Sequence, residues 1–109
     1  MDIREKLNFI ISLINDEKFV KAHDLLENLW RKYKDDKSTR NESFILKAFV
    51  NGCVNFEIYK MGKIEHSANL WNTYKKYEYL INDIDSINKE KYLEIKDLIY
   101  KKREKLIKW

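Results

Sequence analysis

Proline is absent from this chain, glycine occurs twice and cysteine once. Sheets and irregular folds rely on proline and glycine at their reversals, so their scarcity argues against both and favours long helices with few connections. A lone cysteine, Cys53, cannot close an internal disulfide, which removes the small secreted scaffolds from consideration. It stands in an apolar run and reads as a small buried residue, with a reactive thiol as the alternative. No apolar run is long enough to span a bilayer, and Met1-Asp2-Ile3-Arg4-Glu5-Lys6 carries mixed charge, unlike a signal peptide. The expected setting is a reducing cytoplasm without membrane contact. There is also no Gly-x-Ser-x-Gly, no phosphate-binding glycine loop and no Cys-x-x-Cys. With neither a nucleophile nor an oxyanion donor in view, catalysis is the less favoured class.

What is present fits one domain over residues 1–109, with 44% hydrophobic and 37% charged residues. A chain of this size buries enough surface to fold without staples. The net charge is +4, and residues 1–88 carry as many acids as bases. The excess therefore lies in a basic C-terminal helix over about 89–109, with Lys89, Lys91, Lys96, Lys101, Lys102, Arg103, Lys105 and Lys108 against Glu90, Glu94, Asp97 and Glu104. Such a helix can bind phosphates, but interleaved acids weaken that footprint, and nucleic-acid binding ranks as a minor alternative.

Apolar spacing predicts an all-α bundle of about five helices. The first spans Ile3 to Ile14, with Asp2 as cap, Glu5 in capping-box position, and an apolar face of Ile3, Leu7, Ile10, Ile11 and Ile14. The second runs from Glu17 to about Lys34, with Asp16 as cap. Thr39-Arg40-Asn41-Glu42 matches a capping box at the start of the third, which extends from about Arg40 to Met61. Its apolar residues, from Phe44 through Tyr59, cover nearly every direction of the wheel, which marks it as the buried central element. Gly62 suits a left-handed cap. The fourth helix, about Ile64 to Asn82, should return antiparallel and bury Ile64, Ala68, Trp71, Tyr74 and Ile81. Ser86 or Asn88 can cap the last helix, which is expected to pack through Tyr92, Ile95, Ile99 and Leu106. Trp30, Trp71, Tyr74, Tyr77, Tyr79 and Trp109 read mainly as core or half-buried aromatics. Tyr77 and Tyr79 would alternatively form a homodimer surface.

The second helix holds the candidate site. At about 100° per residue, Phe19, Leu26, Trp30 and Tyr33 share one direction. His23 then lies roughly 40° and Glu27 roughly 80° to one side, with Val20 beyond them at roughly 100°. An imidazole and a carboxylate thus stand at i and i+4 within an apolar sector, where burial demands partners. Asn51 and Asn55, also i and i+4, form a polar strip on the third helix and are the expected partners. Three readings follow. The four residues form a structural hydrogen-bonded cluster; or they line a ligand pocket with Trp30 as its apolar wall; or His23 and Glu27 hold a metal in an enzyme. The metal reading is short of ligands, because His66 is the other histidine and stands beyond the Gly62 turn.

His23-x-x-x-Glu27-x-x-Trp30, followed by an apolar helix and Gly62, resembles the signature of a small helical family catalogued as domain of unknown function 309. The resemblance covers about residues 10–80. Where that family tends toward Gln-Gly and a further Gln on the third helix, this chain has Lys47-Ala48 and Asn51. Glu57-Ile58 stands where a histidine is frequent, and Lys63 replaces the Asn that commonly follows the glycine. The resemblance implies a compact helical bundle in a cytoplasmic prokaryotic protein and implies no established activity. The chain is therefore expected to be a small binding or interaction protein, with candidate ligand-binding residues His23, Glu27, Trp30, Asn51 and Asn55 between the second and third helices. No cofactor and no metal ligand set is expected, and the partner is an unspecified small ligand or protein.

Overall fold

Asp2 starts the first helix by accepting the Glu5 N–H at 2.8 Å, which satisfies one of the donors that a helix start leaves free. In the computed structural model, which describes residues 1–108, the segments are α1 (Ile3–Asn15), α2 (Phe19–Lys34), α3 (Arg40–Lys60), α4 (Ile64–Glu78), a single turn α5 (Leu80–Asp83) and α6 (Lys89–Leu106). Trp109 lies outside the described residues. The fold is an all-α bundle around α3, and no strand occurs among the described residues.

The connections correct several sequence expectations. Asp16 closes α1 rather than opening α2. Glu17 adopts a left-handed φ of 60°, its N–H donates to Ile14 O, and the Lys18 N–H donates to Leu13 O. The chain therefore reverses over Asp16–Lys18, and α2 begins at Phe19 instead of Glu17. The Thr39–Glu42 capping box does not form. Thr39 Oγ1 donates to the Tyr33 carbonyl at 2.8 Å, while the Glu42 carboxylate accepts from the Tyr92 hydroxyl of α6. Tertiary partners have taken both side chains from their local roles. Gly62 does take the left-handed conformation, at a φ of 81°. The expected fourth helix is interrupted at Tyr79, which lets α5 turn so that it touches both α3 and α6.

The core runs along α3. Ile45, Leu46, Ala48, Phe49, Cys53 and Phe56 are almost wholly enclosed. They are covered by Leu7, Ile10 and Ile14 from α1, Phe19, Ala22 and Leu26 from α2, Trp71 and Tyr74 from α4, and Tyr92, Ile95 and Ile99 from α6. Burial pushes the Cys53 thiol up to about 12, so this cysteine packs as an inert apolar group. Gly52 marks the closest helix approach: a Cβ there would stand 3.2 Å from Tyr74 and 3.3 Å from Ile99. Ile64 and Phe44, expected inside, are exposed, whereas Ser67 is buried. No helix of the described residues is long and apolar enough to cross a membrane.

Candidate functional site

Whether a polar residue on α2 is buried depends on where the apolar sector ends. The sequence reading placed Val20 at its far edge, and Val20 is 57% exposed. The sector therefore stops short. The His23 side chain keeps 32% and the Glu27 side chain 19% of its accessibility, so both occupy the rim of the α2–α3 contact rather than its interior.

The pair meets a different partner from the one expected. His23 Nε2 stands 3.8 Å from Glu27, and the same carboxylate oxygen lies 3.7 Å from Lys47 Nζ on α3. Its other oxygen is 3.6 Å from Arg31. His23 Nδ1 contacts Asp24 at 3.1 Å. Lys47 Nζ also sits 4.2 Å from the centre of the Trp30 ring, and Lys34 covers that ring at 4.5 Å. Lys47 thus ties Glu27 to Trp30 through an ion pair and a cation–π contact, and it joins α3 to α2. Sequence reasoning missed it, although a carboxylate near an apolar face calls for a cation, and Lys47 is a charge between apolar Leu46 and Ala48.

Asn51 and Asn55 do not join this cluster. The Asn51 amide donates to the Lys47 carbonyl at 3.1 Å on its own helix. Asn55 is completely enclosed. Its amide donates to Gly52 O at 2.6 Å, and its side-chain oxygen accepts from Ser67 Oγ of α4 at 3.2 Å. The same hydroxyl reaches the Asn55 carbonyl at 3.0 Å. The expected His/Glu/Asn cluster is therefore two separate assemblies, because the α3 positions of Asn51 and Asn55 are not the one that meets Glu27. Lys47 is.

The cleft beside His23 and Glu27 is lined by His23, Asp24, Glu27, Asn28 and Arg31, all from α2, and opens broadly to solvent. No group of three or more His, Cys, Asp or Glu side chains suited to a metal forms among the described residues. Asn28 and Arg31 also border a second depression, of about 410 Å³, between α1 and α2. Phe9, Leu25 and Leu29 give it an apolar lining, with Lys6, Arg31 and Lys32 at its edges. Phe9 is 44% exposed there.

A family model described as domain of unknown function (DUF309) matches residues 7–70, more than half of the chain. The chain belongs to this DUF309 family. The match begins within α1 and ends within α4, so His23, Glu27, Lys47 and the apolar lining Phe9, Leu25 and Leu29 fall inside the family region, whereas Lys6 at the edge of the groove and all of α6 lie outside it. No curated protein and no solved structure matches the chain.

Proposed function

We propose that this DUF309 protein is an interaction module that binds its partner along the outer face of α2. The observation that carries the reading is the shared border. Asn28 and Arg31 line both the cleft beside His23 and Glu27 and the apolar groove, which makes one continuous surface of polar and apolar parts. Apolar recesses with a few polar groups at the edge are the usual form of a recognition site. The signature residues themselves are engaged with Lys47 and Arg31, a structural role that fixes α2 against α3 and so shapes the groove beside them.

Amide NMR with a small apolar probe, benzyl alcohol, tests the location. Saturable shifts should concentrate at Phe9, Leu25, Asn28 and Leu29. Shifts confined to the Trp30–Lys47 seam, or scattered without saturation, would overturn the reading.

A further inference from the structure

Several basic side chains of this molecule pair with carboxylates. Glu17 serves Lys102 and Lys105, Glu27 serves Lys47, Glu57 serves Lys60 and Glu94 serves Lys91. Lys6 of α1 and Lys32 of α2 instead line the same α1–α2 groove, where Lys32 holds the Lys6 ammonium below its ordinary pKa. No Asp or Glu lines that groove among the described residues, and neither lysine has an acidic partner at ion-pair distance among them. Two ammonium groups left facing one another repel, and a carboxylate between them would reverse the sign of that interaction.

The apolar part of the groove starts one helical turn from this pair. Phe9 follows Lys6 by three residues on α1, and Leu29 precedes Lys32 by three on α2, with Leu25 a further turn along. A helical turn advances about 5.4 Å. The complementary object therefore carries an acidic group at one level and bulky apolar groups one and two turns on. Residues at i, i+3 or i+4 and i+7 of an amphipathic helix present that pattern. The groove is open to solvent along its side, which suits a helix laid across it better than an acyl chain, whose binding favours enclosure on most of its surface.

We propose that the α1–α2 groove docks an acidic amphipathic helix of a partner protein, its carboxylates between Lys6 and Lys32 and its apolar side chains against Phe9, Leu25 and Leu29. The inference rests on the α2-face reading above and adds to it the chemistry of the partner.

The test uses the full chain and a fluorescein-labelled amphipathic model helix, with leucines at i and i+4 and glutamates flanking them. Two further versions carry Gln or Lys in place of Glu, and decanoate serves as the acyl competitor. Fluorescence anisotropy should show saturable binding of the acidic peptide that weakens with salt, weaker binding of the Gln version and none of the Lys version. Lys6→Gln and Lys32→Gln should each weaken the acidic peptide by about two- to five-fold, the range of an exposed ion pair. Phe9→Asp should remove binding while leaving the thermal melt unchanged, because Phe9 lies outside the core. Equal affinity for the Glu and Gln peptides, or indifference to both lysine substitutions, would overturn the acidic partner and leave the groove itself standing. Displacement of the peptide by decanoate at lower concentration than the peptide requires would overturn the helical occupant. Retention of binding by Phe9→Asp would overturn the groove as well.

Discussion

The two faces of α3 handle the same sequence pattern in opposite ways. Toward α2, the polar pair His23/Glu27 stays at the rim, satisfied by long cationic side chains, Lys47 and Arg31. Toward α4, Asn55 is sealed from water and satisfied by short, fixed groups, Ser67 and the Gly52 carbonyl. Spacing at i and i+4 is common to both. What separates them is the neighbour. Gly52 lets Tyr74 and Ile99 close tightly on α3, whereas α2 presents Val20 to solvent and leaves its seam open at the edge. A dry seam specifies its partners strictly, and a wet one tolerates substitution.

The sharpest way to break this contrast is to place a charge in the dry seam. Asn55→Asp should cost about 3–5 kcal/mol in urea unfolding at neutral pH, the penalty of an uncompensated buried charge. Burial raises the folded-state pKa of such an acid. The loss should therefore shrink as pH falls from that raised value toward about 4, and level off below it, where the carboxyl is protonated in both states. A loss below about 1 kcal/mol would mean that water reaches the seam and that the two faces do not differ.

The corresponding change at the rim should be much milder. Glu27→Ala should cost less than about 1 kcal/mol, because Lys47, Arg31 and His23 all retain access to water. A cost above about 2 kcal/mol in the same unfolding experiment would place Glu27 in a desolvated network and close the gap between the seams.

The smallest effect is expected outside both seams, where α6 is tied to the α1–α2 reversal. Hydrogen bonds from Lys105 and then Lys102 hold the Glu17 carboxyl down at about 2, below its ordinary 4.5. A depressed folded-state pKa stabilises the fold above the unfolded value and loses that contribution as pH falls through the folded one. Thermal melts should therefore weaken between about pH 4.5 and 2 in the native chain, and Glu17→Gln should flatten that portion of the profile. High salt should blunt the part of the difference that Lys105 supplies, since that side chain is exposed. An unchanged profile in Glu17→Gln would detach α6 from this ion pair.

Much of the fold was legible because helical burial follows a local period. The all-round apolar wheel of Phe44–Tyr59 identified α3 as central, and Leu7, Ile10, Trp71, Tyr74, Tyr92 and Ile99 all face inward as their spacing requires. The candidate site was legible only in outline. Geometry on α2 alone brought His23 and Glu27 together, but the register of α2 against α3 chose Lys47 over Asn51 and Asn55. The register of α3 against α4 gave Asn55 to Ser67. The capping residues Thr39 and Glu42 illustrate the same limit, since each found a distant partner in place of its local one.

By itself, the order of residues determined that this chain is helical, where its helices turn and which face of each is apolar, because those properties depend on neighbours within about one turn. The tertiary structure alone decided which polar groups are dry, which cations are neutralised and that Lys6 and Lys32 stand together uncompensated. Those outcomes depend on the rotation and offset of one helix against another, and they are set by the packing of the whole core.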